Sequence, residues 1–204
     1  MDRVPSADLV VTPVSQADFA PLVDLMAREG CPCHCRFWHF TGTNKEWEAR
    51  CALEPERNRD ELGAAIASGS DEGRGLVARV GSAPERIVGW MKLAPRRALP
   101  KLLARVPYRG LDEPERPAAE VLSIACFLVD PALRRHGVAR ALVEGAIEWA
   151  PRWGAVALEA YPRSSDAPLH DGEAWMGPSA LFERLGFVVV REAPQYPVLR
   201  RALV

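Results

Sequence analysis

The chain reads as an α/β fold, a mixed sheet with helices on both faces. Val121–Val129 is a nearly all-apolar run dense in β-branched and aromatic residues, which predicts a buried strand. Asp130-Pro131 punctuates it, and the basic, glycine-bearing stretch Arg134-Arg135-His136-Gly137 follows. Apolar residues then recur at Val138, Leu142, Ala146 and Trp149, the spacing of one helical face. Helical patterns early in the chain, a hairpin, this strand–turn–helix crossing and a closing pair of strands complete the α/β pattern.

Taken in order, Leu9–Thr12 is a short β-branched run ended by Pro13. Ser15 is a candidate N-cap for a helix through Ala27, with Phe19, Leu22, Val23 and Met26 on one face and Gly30 as its stop. Cys31–Phe40 is irregular. Asn44–Cys51 and Glu56–Ala67 predict two further helices, and Leu76–Val80 with Ile87–Leu93 predicts a hairpin around Gly81-Ser82-Ala83-Pro84. The segment 95–117 is rich in proline and arginine and reads as a connection carrying a short helix at Leu99–Arg105. After the central strand and helix come a strand at Ala155–Tyr161, a long loop at Pro162–Pro178 and a helix at Ser179–Leu185 ended by Gly186. Phe187–Val190 and Val198–Leu203 close the chain as strands.

A length of 204 residues suits a single domain, 1–204, and 48% hydrophobic with 26% charged residues is a globular composition. A formal net charge of −1 argues against a general nucleic-acid binder. No apolar run approaches the roughly 20 residues of a spanning helix, and Met1–Ser6 has no apolar signal region, so a cytoplasmic protein with no membrane partner is expected. The five cysteines are accordingly expected as reduced thiols.

The turn before the central helix can hold phosphate. Backbone N–H groups at a helix start lack intrahelical partners, and the helix dipole adds roughly half a positive charge there. Gly137 lacks a Cβ, which lets an anion approach the main chain. The run Arg134-x-x-Gly137-x-Ala139 resembles the Arg/Gln-x-x-Gly-x-Gly/Ala signature of the GNAT superfamily of N-acetyltransferases. About 40 residues further on, Ala180-Leu181-Phe182-Glu183-Arg184-Leu185-Gly186-Phe187 is similar to the family's second signature, a short helix ending in Leu-Gly-Phe.

The resemblance implies a mixed, mostly antiparallel central sheet and a coenzyme-binding core over residues 118–192. It also implies acetyl-coenzyme A as cosubstrate. Carried over residue by residue, Arg134, Arg135, His136, Gly137, Val138, Ala139 and Arg140 form the phosphate turn. Phe127, Leu128 and Val129 pair with the pantetheine arm, and a main-chain N–H near Leu128 or Val129 serves as oxyanion donor. The acceptor is a primary amine on a small molecule or peptide, attacked directly in a ternary complex. Residues 31–70 overhang the acceptor side, where Phe37, Trp38 and Trp47, with Glu46 and Glu48, line the amine pocket or else pack as core.

An alkylamine, with a pKa near 10.4, must lose a proton before it attacks. The family's usual glutamate position on the motif strand is Ser123 here. Glu159 on the following strand and Glu120 at the start of the motif strand are the candidate bases, with another residue or a water chain as alternatives. The family's usual acid tyrosine is Phe182 and its frequent asparagine is Trp175. Tyr161 and Tyr196 are the candidate substitutes. The thiolate, with a thiol pKa near 8.5, can also leave with little help.

Cys31-Pro32-Cys33-His34-Cys35 lacks the usual spacing of a zinc site, so no metal is expected. Two other readings follow from the residues: a non-catalytic acyl-coenzyme A binding or regulatory module, suggested by Ser123 and Phe182, and a thiol- or metal-binding protein built on Cys31–Cys35. Trp149 and Trp153 read as core, and Arg96-Arg97 with Arg109–Arg116 as a solvated loop. A homodimer through the final strands is left open by the sequence.

Overall fold

The structure is a computed structural model that describes residues 8–111, 121–165 and 174–203. One seven-stranded sheet runs in the order β1-β2-β3-β4-β5-β7-β6. Its strands are β1 (Leu9–Pro13), β2 (Gly75–Val80), β3 (Ala83–Pro95), β4 (Val121–Val129), β5 (Ala157–Ala160), β6 (Val188–Arg191) and β7 (Val198–Ala202). Only β4 and β5 pair parallel; every other neighbouring pair is antiparallel. The crossover connection that a parallel pair requires is made through α5 (Val138–Trp149).

The remaining helices are α1 (Phe19–Arg28), α2 (Asn44–Leu53), α3 (Pro55–Ala67), α4 (Pro100–Ala104) and α6 (Ser179–Arg184). Local chemistry sets their starts. Thr43 and Glu46 form a reciprocal capping box ahead of α2, with Glu46 N–H donating to Thr43 Oγ1 at 3.2 Å and Thr43 N–H to Glu46 Oε2 at 2.7 Å. Ser15 and Asp18 do the same before α1, so the chain enters through a single 3-10 turn at Gln16–Asp18. Pro55 occupies the first turn of α3, where its missing N–H costs nothing.

Helices cover both sheet faces. On one, α5 buries Leu142, Val143 and Ala146 against Leu76, Ala78, Met91 and Ile124, with Phe182 and Phe187 extending that core. On the other, α1 and α3 bury Leu22, Leu25, Met26 and Leu62 against Val77, Ile87, Trp90 and Cys126. A third cluster joins Trp38, Tyr108, Tyr161 and Met176 beside β4. Gly89 lets α5 sit close: a Cβ there would meet Val138 Cγ1 at 2.4 Å.

Two features of β4 position the site. The register against β3 shifts between Lys92↔Cys126 and Leu93↔Ile124, leaving Ala125 as a bulge. Pairing with β5 ends at Ile124↔Ala160, whereas β4 continues to Val129. The two central strands therefore part beyond the bulge.

Candidate active site

The wedge between β4 and β5 leads directly to the basic turn. Asp130 ends β4, buried to 2% exposure, and its carboxylate is held by Arg86 at 2.7 Å and Arg28 at 3.1 Å. Its Oδ1 also accepts from Ala132 N–H at 3.1 Å, which fixes the turn to the end of the strand. Arg135 (φ +65°) and Gly137 (φ +88°) both adopt the left-handed region, the second as N-cap of α5. The first intrahelical bond here runs from Ala141 N–H to Gly137 O at 2.9 Å. The amides of Val138, Ala139 and Arg140 thus start the helix without intrahelical acceptors, which is the donor set an anion needs.

The side chains of the turn divide their tasks. Val138 is buried under β3, and Ala139 packs on the same core. Arg134 Nη2 donates to Glu29 Oε2 at 2.7 Å, which ties the turn to α1. His136 Nδ1 lies 2.8 Å from the Arg134 carbonyl, and Arg140 pairs with Glu144 at 2.9 Å along α5. Arg135 is exposed beside Gly137.

Along β4, Phe127 N–H donates to the Trp175 carbonyl at 2.8 Å, and Asp130 N–H donates to Val88 O at 2.9 Å on β3. Strand alternation therefore turns the Phe127 and Val129 amides toward the wedge and the Leu128 amide toward β3. Between Leu128 and Val129, the wedge-facing donor is Val129.

Two of the four candidate catalytic residues, Glu159 and Tyr161, come together. Tyr161 OH donates to Glu159 Oε2 at 2.8 Å and lies 2.7 Å from Ser123 Oγ, the position of the family's usual base. Both Glu159 oxygens also accept from Arg96 Nη1, at 3.1 and 2.9 Å, and Arg200 caps Oε1. Glu159 and Arg96 are fully buried. Burial, then the Glu159 charge, pushes the Tyr161 hydroxyl well above its ordinary range. Glu120, a third candidate, lies outside the described residues.

One loop reading needs correction. Arg96 is not a solvated loop charge but a buried partner of Glu159, because the strand register sets Glu159 between Ser123 on β4 and Arg200 on β7. Arg97, by contrast, is exposed and pairs with Asp71. Phe182 is fully buried against Phe127 and Phe187, and a ring there has no hydroxyl to donate.

The aromatics expected on the acceptor side form one connected set. Trp38 is 2% exposed and its indole N–H donates to the bulge carbonyl of Ala125 at 2.8 Å. Phe37 stands edge-on to Trp38, Trp47 and Trp175, with centroids 4.7, 5.7 and 6.0 Å away. Lys101 Nζ sits over Phe37 at 5.1 Å and Arg105 over Tyr196 at 5.1 Å. Trp38 and Trp47 are core residues, whereas Phe37 and Trp175 keep partly open faces. Glu46 serves as the helix-capping partner of Thr43.

His39 Nδ1 lies 2.7 Å from Ala98 O, and burial with the Lys92 and Arg36 charges lowers the ring's pKa to about 2, so it stays neutral. Lys92, fully buried on β3, donates to the Glu72 carbonyl. Among the described residues, no group of three or more His, Cys, Asp or Glu side chains is arranged to hold a metal ion, and no helix is long and apolar enough to cross a membrane.

Comparison with known proteins agrees with this geometry. Over 95% of this chain and 98% of its own, the PaiA N-acetyltransferase from Thermoplasma acidophilum, solved in complex with coenzyme A, superposes with a TM-score of 0.54 at 10% identity. A GCN5-related N-acetyltransferase from Kribbella flavida superposes with a TM-score of 0.55 at 22% identity, covering 96% of this chain and 98% of that one. An aminoglycoside 6′-acetyltransferase type Ii gives 0.55 at 11% identity, covering 96% and 97%. At such identities these likenesses show a shared fold. No relative is found among curated proteins. The sequence model of the acetyltransferase (GNAT) family matches residues 37–187, more than half of the chain. Wedge, turn and family match together place this chain in the acetyltransferase (GNAT) family, as an acyltransferase enzyme.

Proposed function

We propose that this chain transfers an acetyl group from acetyl-coenzyme A to a primary amine, by direct attack within a ternary complex. The observation that carries the reading is the parting of β4 from β5 after Ile124↔Ala160, with the Gly137 turn at the end of the longer strand. The Val138, Ala139 and Arg140 amides fit the pyrophosphate, and the wedge-facing backbone of Phe127 and Val129 fits the pantetheine arm. The coenzyme supplies the activated acetyl thioester. Val129 N–H is placed to donate to the acyl oxygen, and the Trp175 carbonyl must yield the Phe127 amide for the arm to pair there.

In this reading Tyr161 is the hydroxyl nearest the family's base position, and Glu159 is its positioning residue. Both Glu159 oxygens are already committed to Arg96, Arg200 and Tyr161, so a free base role fits it poorly. The proton of the acceptor ammonium then leaves through water, and Glu120 is retained as a candidate for that water's partner. Residues 31–70, with Phe37 between Lys101 and Trp175, form the acceptor side; residues 118–192 form the coenzyme side. We place the protein in the cytoplasm.

The test combines ligand-induced stabilisation with turnover. Acetyl-coenzyme A at about 100 times its Kd should add about 2.7 kcal/mol, raising Tm by roughly 5–10 °C for a chain this long. Amine-dependent release of free thiol should follow across a panel of small amines and peptides. No stabilisation overturns the coenzyme site. Stabilisation without thiol release supports a second reading, a non-catalytic acyl-coenzyme A module, which Phe182 and the occupied Phe127 amide favour.

A further inference from the structure

The thiols of the acceptor-side loop form a cluster that acetyl transfer does not use. Cys31 and Cys33 Sγ lie 3.2 Å apart, and Cys35 and Cys126 Sγ lie 3.4 Å apart. The two pairs differ in access. Cys35 and Cys126 are 3% and 5% exposed, and the Trp90 indole N–H donates to Cys35 Sγ at 3.3 Å. Cys31 and Cys33 are half-buried, with edges open to solvent.

The loop is held in an unusual backbone shape. His34 (φ +43°) and Cys35 (φ +53°) are both in the left-handed region, which non-glycine residues adopt at a cost of order 1 kcal/mol each. Surrounding contacts hold that shape. Asn58, fully buried on α3, donates to Pro32 O at 3.0 Å, and Arg36 pairs with Glu72 at 2.5 Å. The loop therefore keeps the Cys31 and Cys33 sulfurs together, although the chain could point them apart.

We propose that Cys31 and Cys33 are a redox-active dithiol that takes a hydroperoxide as its oxidant. The Cys31 thiolate sulfur attacks a peroxide oxygen; the O–O bond breaks and hydroxide leaves, so Cys31 becomes a sulfenic acid. The Cys33 sulfur then attacks the Cys31 sulfur. An S–S bond forms, the S–O bond breaks, and water departs with the Cys33 proton. In sum, two thiols and one hydrogen peroxide give one disulfide and two waters. Closing the bond brings the sulfurs from 3.2 Å to about 2.05 Å, a small movement for a loop.

Electrostatics agree on which sulfur reacts. Hydrogen bonds from the Cys33 and Cys35 thiols pull Cys31 well below the ordinary thiol range, and the thiolate is the nucleophile. Cys33 is pushed up by the same contact with Cys31, as suits a resolving thiol. The event is close to the active site, because the same loop carries Trp38, which is bonded to the Ala125 bulge of β4.

Trypsin cuts after Arg28 and Arg36, so Cys31, Cys33 and Cys35 share the peptide Glu29–Arg36. The full-length protein, freshly reduced and freed of reductant, is treated with equimolar hydrogen peroxide and then alkylated. The expected result is the loss of two hydrogens from the intact mass, and alkylation of Glu29–Arg36 at Cys35 alone. Cys51 and Cys126 should be alkylated fully. Cys33→Ser should stop at a dimedone-trapped sulfenic acid on Cys31, and Cys31→Ser should show neither product. Three results overturn the proposal: a wild-type Cys31 and Cys33 that both remain alkylatable; a cross-link from Glu29–Arg36 to Cys126; or stoichiometric zinc that blocks oxidation until chelated. The wild-type mapping decides the question even if a variant fails to fold.

Discussion

The Glu159 cluster illustrates how burial changes a residue's role. A carboxylate held between two guanidiniums neutralises charge that could not otherwise be buried. Glu159→Gln leaves the buried Arg96 without a counter-charge, so we expect a loss of about 3–5 kcal/mol, read from the urea midpoint. The shape of the pH–rate profile should be unchanged; a profile that loses its acidic limb in this variant would restore Glu159 as the base. Lys92 makes a second prediction at this scale. Burial, reinforced by the Arg36 charge, lowers its pKa to about 7, against about 10.4 for an unfolded lysine. Between those values the unfolded chain holds the extra proton, so this contribution to stability is weakest near pH 7 and grows as pH rises. Lys92→Met removes it. The variant should gain most over the wild type at pH 7, with the gap narrowing by pH 9 in paired urea titrations. A gap that does not vary with pH would mean that Lys92 keeps an ordinary pKa in the fold.

Among the elements, α5 and the turn before it carry the coenzyme reading. Gly137 sits at φ +88°, where any L side chain is strained, and its neighbours offer amides to an anion. Gly137→Glu adds backbone strain and puts a negative charge beside those amides. It should abolish detectable acetyl-coenzyme A binding by calorimetry while leaving the far-UV spectrum native. Normal binding in a folded Gly137→Glu protein would place the pyrophosphate elsewhere. This part of the site was legible in the sequence, because a glycine turn between a strand and a helix is a local object. Its support was not. Asp130 holds the turn by reaching Arg86 on β3 and Arg28 on α1, contacts that span 44 and 102 residues. The Thr43-x-x-Glu46 cap was equally local and could have been read, which would have assigned Glu46 to the helix start.

For the whole molecule, the sheet ends on β6, an edge strand whose Val188, Val189 and Val190 are 63%, 43% and 42% exposed. Unpaired edges with apolar residues invite pairing with another chain. We propose a homodimer formed through these final strands. Light scattering after size exclusion should give twice the chain mass, and Val189→Lys should return it to the monomer. A wild-type monomer at micromolar concentration would exclude that assembly.

What the sequence by itself determined was everything carried by neighbours along the chain. Periodicity set the helices and strands to within a few residues, and the Gly137 and Leu185-Gly186-Phe187 motifs pointed to the coenzyme half of the site. The tertiary structure alone decided which distant residues meet. Strand register set Ser123, Glu159 and Arg200 abreast on β4, β5 and β7, and the bend after β3 added Arg96. Loop packing brought Cys35 to Cys126 across 91 residues. Such contacts depend on pairing between segments that carry no local mark of one another. Register, bulges and burial are properties of the assembled sheet, so the hydrogen-bond network they arrange around Glu159 becomes visible only once the chain has folded.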